Sequence, residues 1–242
     1  MTDHRFMRTS LLLGENGMEN LKNATVALVG LGAVGGFALE ALARAGVGHL
    51  ILVDFDRFDV TNINRQILAL ETTIGAKKTD VAKERVLSIN PECNVEIRDM
   101  FVCAQNFDEI FNQKIDFVVD AIDSIKEKCD MIAYLFEKKI PCISAMGAAL
   151  KTDISALKIS KLSETSYCPM AKKIRKDLKQ RGIDIDQIKC VACFEQNKSG
   201  QKPIMASQDG KKAVLGSMST VTAAMGLMLA HEVILSLAKG EK

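Results

Sequence analysis

The stretch Thr25-Val-Ala-Leu-Val-Gly30-Leu-Gly32-Ala-Val-Gly35 decides the fold. An apolar run of strand length leads into a Gly-x-Gly-x-x-Gly pattern, and residues 33–45 then carry apolar side chains at helical spacing. Gly30 permits a tight turn, Gly32 lets a phosphate approach the N–H groups at the helix N-terminus, and Gly35 allows the helix to pack closely on the strand. The pattern predicts a nucleotide-binding unit. The simpler explanation is a glycine-rich turn that is needed only for packing.

Strand and helix patterns continue to alternate through the first 150 residues. Apolar strands are predicted at residues 49–54, 116–121 and 141–145, and an alternating strand at residues 95–98. Helices are predicted at residues 77–89, 106–112 and 126–139. This alternation predicts an α/β fold of Rossmann-like type, with a mainly parallel sheet covered by helices on both faces.

The pattern is less regular after about residue 150. We predict an exposed strand pair over residues 151–162, a basic helix over residues 172–180, a polar loop over residues 198–212 and a long helix from residue 217. We interpret residues 1–242 as a single domain. Its nucleotide-binding core spans about residues 24–150, and the less regular half, about residues 151–242, extends that core and contacts the substrate.

The composition excludes several classes of protein. The 242 residues are 48% hydrophobic and 26% charged, which is ordinary for a soluble globular protein, and a net charge of +2 excludes a polycation of histone type. The first five residues lead into no apolar secretory segment, and seven irregularly spaced cysteines favour a reduced, cytoplasmic protein. The apolar segment 213–238 contains hydroxyl side chains, His231 and Glu232, so we predict a buried helix there and no membrane span.

The loop after the second strand carries the next group of candidate residues. Asp54 ends that strand, where a carboxylate meets the ribose of a bound nucleotide, and the loop at the carboxyl end of a parallel strand faces the ligand crevice. The polar residues that follow are Asp56, Asp59, Asn62, Asn64, Arg65 and Gln66. Amides, a guanidinium fork and carboxylates suit a triphosphate with Mg²⁺ better than a nicotinamide dinucleotide, and Lys78 can reach the phosphates. The simpler explanation is a solvated loop with a structural ion pair.

These segments together resemble the ubiquitin-activating-enzyme-like ThiF/MoeB/HesA family, whose members adenylate a carboxylate with ATP. The segments are GLGAVGG, DFDRFDVTNINRQ and GAKK, and the resemblance is strong over about residues 5–150. It implies that Gly32 and Asp54 contact the nucleotide. It places around the phosphates the residues Asp56, Asn62, Asn64, Arg65, Gln66 and Lys78. It also implies that Arg8 reaches into the ATP site of a partner subunit and that Asp123 binds the magnesium ion.

Other segments separate the branches of that family. Members that serve ubiquitin-like sulfur carriers bind zinc with two Cys-x-x-Cys pairs, whereas this sequence has only Cys190-Val-Ala-Cys193, so we predict a strand there and no zinc. The segment Ala121-Ile-Asp-Ser-Ile-Lys-Glu-Lys128 resembles the signature of the tRNA threonylcarbamoyladenosine dehydratases, and residues 61–70, 89–93 and 139–144 are similar to that subfamily as well. The resemblance implies that ATP adenylates the threonyl carboxylate of the modified adenosine, which then cyclises with loss of water. The catalytic residues would be Arg8, Arg65, Lys78 and Asp123.

A local basic patch supports a tRNA substrate independently. The segment 172–181 has six positive side chains against one acid, and our candidate nucleic-acid contacts are Lys172, Lys173, Arg175 and Lys176. The alternative explanation is a solvated helix face.

Three other functions are kept as alternatives. The first alternative is adenylation of the C-terminus of a ubiquitin-like sulfur-carrier protein. The other two are a nicotinamide-dependent oxidoreductase and a non-catalytic nucleotide sensor. The resemblance implies a homodimer, and the apolar surface of the last helix offers a face for it. The sequence leaves open a monovalent cation site and a sulfur-relay partner.

Overall fold

The computed structural model describes residues 4–196 and 215–240. The strands are β1 (Thr25–Val29), β2 (His49–Asp54), β3 (Asn94–Asp99), β4 (Phe117–Asp120), β5 (Cys142–Ala145), β6 (Leu157–Lys161) and β7 (Lys189–Cys193). The helices are α1 (Met7–Asn23), α2 (Gly35–Ala45), α3 (Lys78–Ile89), α4 (Phe107–Ile110), α5 (Ile125–Glu137), α6 (Pro169–Gln180) and α7 (Ser219–Lys239). The loop predicted over residues 198–212 lies outside the described residues.

All seven strands form one sheet, in the order β3-β2-β1-β4-β5-β7-β6. Every neighbouring pair is parallel except β6 and β7, which are antiparallel. The predicted α/β fold with a mainly parallel sheet is therefore confirmed. Because β6 and β7 come from the second half of the chain, that half extends the sheet of the first.

Helices cover both faces of the sheet, as the continuous apolar strands require. Val26 and Leu28 of β1 pack into the core formed with α2, α3 and α7. Ala27 and Val29, which point the other way, pack into the core formed with α4 and α5. The chain changes from one face to the other between β1 and β4, which are neighbours in the sheet, so the loops after these two strands diverge and open a crevice.

Helix α7 belongs to the core of the chain. It is long and apolar enough to cross a membrane by length and composition alone, but eight of its residues are buried in the fold. A Cβ atom at Gly226 would lie 2.3 Å from the carbonyl oxygen of Val34, so glycine lets α7 pack directly against the start of α2. Part of the apolar surface of this helix, which we offered as a face for a subunit interface, is therefore used inside the chain. Among the described residues, the most exposed large apolar side chains are on α1, where Leu11 is 82% and Leu12 is 83% exposed.

Two regions differ from the prediction. Helix α1 was not predicted, because it is broken at Gly14, whose φ of +75° lies outside the helical region.

The prediction of a strand pair over residues 151–162 is wrong, since only β6 forms there. The carboxylate of Glu195 accepts hydrogen bonds from Thr152 N and Asp153 N, and Asp153 in turn caps a 3-10 turn over Ile154–Ala156. These contacts use the backbone groups that a second strand would need.

Candidate active site

A cleft of about 910 Å³ lies at the carboxyl ends of the central strands. Its walls are the loops that follow β1, β2, β3, β4 and β5, together with the segment that leads into α6. Nine of the predicted site residues line it, namely Gly30, Gly32, Asp54, Asp56, Asn62, Arg65, Gln66, Lys78 and Asp123. The fold thus brings together, in one crevice, residues that are up to 93 positions apart in the sequence.

The three glycines of the first loop have different reasons for being glycine. Gly30 has a φ of +93°, and a Cβ atom there would lie 2.8 Å from the carbonyl group of Ala121. A Cβ atom at Gly35 would lie 1.8 Å from the carbonyl oxygen of Gly30. At Gly32 the nearest protein atom would be 3.8 Å away, at an ordinary contact distance. Packing therefore explains Gly30 and Gly35 but not Gly32, whose open side faces the cleft.

Asp54 holds the glycine loop in place. Its carboxylate is buried, and Oδ2 accepts a hydrogen bond from Leu31 N (2.6 Å) while Oδ1 accepts one from Asp56 N (2.9 Å). The side chain also lines the cleft. The expected contact with a ribose hydroxyl stays a prediction, for which each carboxylate oxygen keeps a further lone pair.

Two cationic side chains approach the cleft from the β2 side. Lys78, only 5% exposed at the start of α3, donates a hydrogen bond from Nζ to Asp56 Oδ2 (2.9 Å). Arg65 Nη1 donates to Thr61 O (2.9 Å) and Asn64 Oδ1 (3.0 Å). Asn64 does not line the cleft; it donates from Nδ2 to Ser217 O (3.3 Å) and so positions Arg65 against the segment before α7.

Gln66 provides a sign of a missing ligand. Its side chain is buried and lines the cleft, and its Oε1 atom has no hydrogen-bond partner among the described residues. A buried polar atom without a partner is costly, so such an atom usually meets a ligand or an ordered water. Asn62 lines the same wall, where its Oδ1 atom accepts a hydrogen bond from Asp59 N (3.3 Å).

The loop after β4 contains one buried and one exposed carboxylate. Asp120 is fully buried, forms an ion pair with the equally buried Lys128 (2.7 Å), and accepts a hydrogen bond from Ser144 Oγ (2.6 Å). Its other oxygen accepts from Ile122 N (3.2 Å). Asp123, three residues later, is exposed in the cleft. Asp123 is therefore the carboxylate of this loop that a metal ion can reach, and Asp120 holds the loop. The sequence analysis missed this buried pair.

Three aromatic side chains of the cleft were also missed. Phe55 and Phe101 follow the carboxyl ends of β2 and β3, lie edge to face at 5.0 Å, and are both about half exposed. Tyr167 lines the opposite end of the cleft, where Lys151 Nζ donates a hydrogen bond to its carbonyl oxygen (3.0 Å). For Phe55 the available signal was an aromatic residue directly after a buried strand, and for Phe101 an aromatic residue three positions after the end of a predicted strand. Tyr167 lies in an irregular segment that gave no such signal.

The remaining predicted site residues lie outside the cleft. Arg8 is exposed on the first turn of α1 and does not line the cleft of its own chain. On α6, whose first residues Pro169 and Met170 line the cleft, Lys172, Lys173 and Lys176 are exposed. Arg175 is half-buried and donates from Nη1 to the carbonyl oxygen (2.8 Å) and to the hydroxyl of Thr165, so a local contact already uses it.

The Cys190 and Cys193 side chains cannot chelate one metal ion together. Both lie on β7, as predicted, but Cys190 packs into the core formed with α5 and α6, and Cys193 into the core on the opposite face of the sheet. Burial raises the pKa of the Cys190 thiol to about 12 and also raises the pKa of Cys193. The thiolate form that binds zinc is therefore disfavoured at both positions. The absence of zinc itself stays a prediction.

The comparisons with known proteins agree with this geometry. The tRNA threonylcarbamoyladenosine dehydratase of Bacillus subtilis is 43% identical over 211 residues, which cover 87% of this chain and 80% of that protein. Two structures of Escherichia coli tRNA N6-threonylcarbamoyladenosine dehydratase, TcdA, in complex with AMP and with ATP, each superpose with a TM-score of 0.88, at 34% and 33% identity. Each alignment covers 98% of this chain and 94% of that chain.

An adenylyltransferase relative matches less of the chain. The molybdopterin-synthase adenylyltransferase of Salmonella typhimurium is 35% identical over 154 residues, which cover 62% of this chain and 59% of that protein. The model of the ThiF family matches residues 5–242, and the cleft gathers most of the residues by which we identified the resemblance. The chain belongs to the ThiF family, and three bacterial relatives that are 41–43% identical to it are tRNA threonylcarbamoyladenosine dehydratases.

Proposed function

We propose that this chain is an ATP-dependent tRNA threonylcarbamoyladenosine dehydratase, an adenylate-forming enzyme that modifies tRNA. The observation that carries the proposal is the cleft, which gathers nine nucleotide-site residues at the switch point of the sheet and continues past Asp123 into a second compartment. The extent of the match to the Bacillus subtilis dehydratase supports the choice of substrate.

The reaction has two steps. A carboxylate oxygen of the threonyl group attacks the α-phosphorus of ATP, and the bond from that phosphorus to the pyrophosphate oxygen breaks. The neighbouring carbamoyl group then attacks the activated carbonyl carbon, loses a proton and displaces AMP, which closes the ring. The nucleoside has lost the elements of water. Both reacting groups belong to one nucleoside, so proximity favours the second step and no nucleophile from the enzyme is needed.

The residues of the cleft stabilise charge and align the reactants. Arg65 and Lys78 neutralise the negative charge that grows on the phosphates in the first step, and Asp56 keeps the Lys78 ammonium group in place. Asp54 accepts from the ribose while it holds the glycine loop. The Gln66 Oε1 atom, which has no partner among the described residues, meets the bound nucleotide or its hydration shell.

Asp123 is the residue that would hold Mg²⁺. Magnesium binds proteins through one or two carboxylates plus phosphate oxygens, and an exposed carboxylate in the cleft fits that donor set. Asp120 does not fit it, because it is fully buried, Lys128 and Ser144 contact its Oδ2 atom, and Ile122 N donates to its Oδ1 atom. When bound, the ion supplies positive charge to the triphosphate.

We further propose a cytoplasmic homodimer. Arg8 lies outside the cleft of its own chain, on a helix whose Leu11 and Leu12 side chains are the most exposed large apolar groups described. A second copy that covers these leucines would receive Arg8 at its ATP site. The exposed lysines of α6 would bind the tRNA backbone.

The second candidate function is adenylation of a ubiquitin-like sulfur-carrier protein. The match to the Salmonella protein of that branch favours it, but that match covers less of the chain than the match to the dehydratases. Cys190 and Cys193 also lie on opposite faces of the sheet, so they do not form the zinc half-site of that branch.

One assay separates the candidates. The purified chain is mixed with ATP, Mg²⁺ and radioactive pyrophosphate, and the ATP–pyrophosphate exchange is measured with tRNA that carries threonylcarbamoyladenosine, with a carrier protein, or with neither. We expect exchange only with the modified tRNA, together with loss of one water from its nucleoside by mass spectrometry. Exchange that depends on the carrier protein, or no exchange with the modified tRNA, would overturn the proposal.

A further inference from the structure

The cleft continues beyond the nucleotide-binding residues into a second compartment. The glycine loop, Asp54 and Asp123 follow β1, β2 and β4, whereas this compartment begins after β5. From β2 to β5 the sheet spans three strand spacings, about 14 Å, which leaves room for a second ligand beside ATP. The compartment is lined mainly by small and apolar residues, among them Gly147, Ala148, Leu150, Met170 and Leu215.

Tyr167 is the aromatic side chain of this compartment. The other two aromatic residues that line the cleft, Phe55 and Phe101, lie at the opposite end, after β2 and β3. Tyr167 is 56% exposed, whereas Tyr134, the second tyrosine of the chain, packs against Phe107 and Phe111. The Tyr167 ring is therefore available to a ligand.

The backbone at Tyr167 is held in an unfavourable conformation by its neighbours. Its φ is +53°, in the left-handed region that side chains other than glycine and asparagine rarely adopt. Lys151 fixes the Tyr167 carbonyl, Arg175 fixes the Thr165 carbonyl two residues earlier, and the Cys168 Sγ accepts from Ala171 N (3.4 Å) at the start of α6. Strain that several contacts maintain is found where a side chain must be presented in one direction.

We propose that the Tyr167 ring is the stacking platform for the purine base of the modified tRNA nucleoside. This inference rests on the function proposed above. The nucleoside must leave the stack of its RNA loop for its threonyl carboxylate to reach the α-phosphorus, and proteins hold such unstacked bases against aromatic side chains.

The charge of the neighbouring helix favours this occupant. Helix α6 begins two residues after Tyr167, and its exposed Lys172, Lys173 and Lys176 present positive charge to the phosphates on either side of an extruded base. The base contact and the backbone contacts thus come from consecutive segments of the chain. An apolar substrate without phosphates would have no use for these lysines.

The test compares variants that keep or remove the ring. We expect Tyr167→Phe to bind modified tRNA within about twofold of wild type, and Tyr167→Leu to raise the KM for tRNA about 5–150-fold, which corresponds to the loss of one stacked base. The KM for ATP should change less than about twofold in both. Tyr134→Phe is the matched control, and Tyr167→Asn is a second ringless variant that tolerates the left-handed backbone.

A salt titration separates stacking from a structural effect. The slope of log Kd against log salt should be the same in Tyr167→Leu and in wild type, because stacking releases no counterions, whereas Lys176→Glu should flatten it. If Tyr167→Leu and Tyr167→Asn bind and turn over modified tRNA like wild type, the stacking proposal is wrong while the proposed function stands. If the wild-type chain does not dehydrate modified tRNA, both are wrong.

Discussion

At the scale of single residues, Lys78 and Arg65 reach the cleft in different ways. Lys78 is almost fully buried and its ammonium group is already paired with Asp56, so its position is fixed before a ligand arrives. Arg65 uses Nη1 for two local hydrogen bonds, and its other two guanidinium nitrogens make none to a residue that the structure describes. Both are therefore oriented in advance, which is the condition for effective stabilisation of a transition state.

We predict that Arg65→Ala and Lys78→Ala each lower turnover by at least about 100-fold, because each removes a positive charge that stabilises the transferring phosphoryl group. Steady-state kinetics with modified tRNA would measure this. Lys77→Ala is the matched control, since Lys77 pairs with Asp99 and does not line the cleft. Near-normal turnover in the Arg65 and Lys78 variants would refute our assignment of the phosphate site.

Asp120 and Asp123 should respond to substitution in opposite ways. Asp123→Asn removes an exposed carboxylate, so activity should collapse while the thermal unfolding midpoint stays the same. Asp120→Asn leaves the buried Lys128 without its counter-ion, which costs about 3–5 kcal/mol of unfolding free energy. Urea unfolding and activity at several Mg²⁺ concentrations would separate the two effects. Full activity of Asp123→Asn at low Mg²⁺ would point to Asp56 as the ligand instead.

At the scale of elements, α6 joins the cleft to a basic surface. Its buried side is apolar, through Ala171, Ile174 and Leu178, and its exposed side carries lysines. Such a face is either a solvated helix surface or a binding surface for a polyanion, and the cleft at the start of the helix favours the second.

Charge reversal at Lys172, Lys173 and Lys176 should weaken tRNA binding and flatten its salt dependence, by about one unit of log–log slope for each phosphate that is no longer neutralised. ATP affinity should hardly change. The control reverses the charge at Lys22, Lys114 and Lys138. These residues precede β1, β4 and β5 and so lie near the amino ends of the strands, away from the cleft at the carboxyl ends. Equal tRNA affinity in both triple variants would mean that the exposed side of α6 is only a solvated surface and does not bind tRNA.

Strand β7 leads to a prediction about cysteine. The double variant Cys190→Ala and Cys193→Ala should keep most of its activity, because no thiol takes part in the reaction, and metal analysis should find no zinc in wild type. Burial raises the folded-state pKa of Cys190 from 9.0 to about 12, so its contribution to stability is complete below pH 9 and is lost as the pH rises. The free energy of unfolding should therefore fall less steeply with rising pH above pH 9 in the variant than in wild type. One zinc per wild-type chain would contradict this prediction.

The elements that the sequence predicted are those governed by local pattern. Strands β1 to β5 are short segments between helices, apolar in four cases and alternating in β3, and each was located within a residue or two. Helix α1 and the region before β6 were not, because Gly14 interrupts the one and long-range hydrogen bonds to Glu195 shape the other. The same division holds for the site. Motif loops after strands predicted the nucleotide residues, whereas tertiary packing alone brings Lys128 and Tyr167 to their places.

At the scale of the whole molecule, the position of Arg8 predicts two composite sites in a twofold dimer. We would mix Arg8→Ala with Lys78→Ala and let the subunits exchange. If Arg8 acts on the partner's ATP, the heterodimer has one site with both defects and one with neither, so it should recover about half of the wild-type activity. If Arg8 acts within its own chain, every site keeps one defect, and no activity returns even when exchange is confirmed by mass spectrometry of the mixed dimers.

The packing of α7 on α2 also fixes when the fold can be completed during synthesis. Gly226 lies against the backbone of Val34, and α1 is tied to the end of α7 through a hydrogen bond from Asn20 Nδ2 to Ala238 O (3.0 Å). At roughly 5–20 residues per second, about 10–40 s pass between the synthesis of α2 and that of α7. During that time the part of α2 that packs against α7 stays uncovered, although β1 and α3 already pack against the rest of the helix. The nascent protein therefore emerges from the ribosome with its nucleotide loop complete, while the face of its sheet that α2 and α3 cover in part still waits for α7.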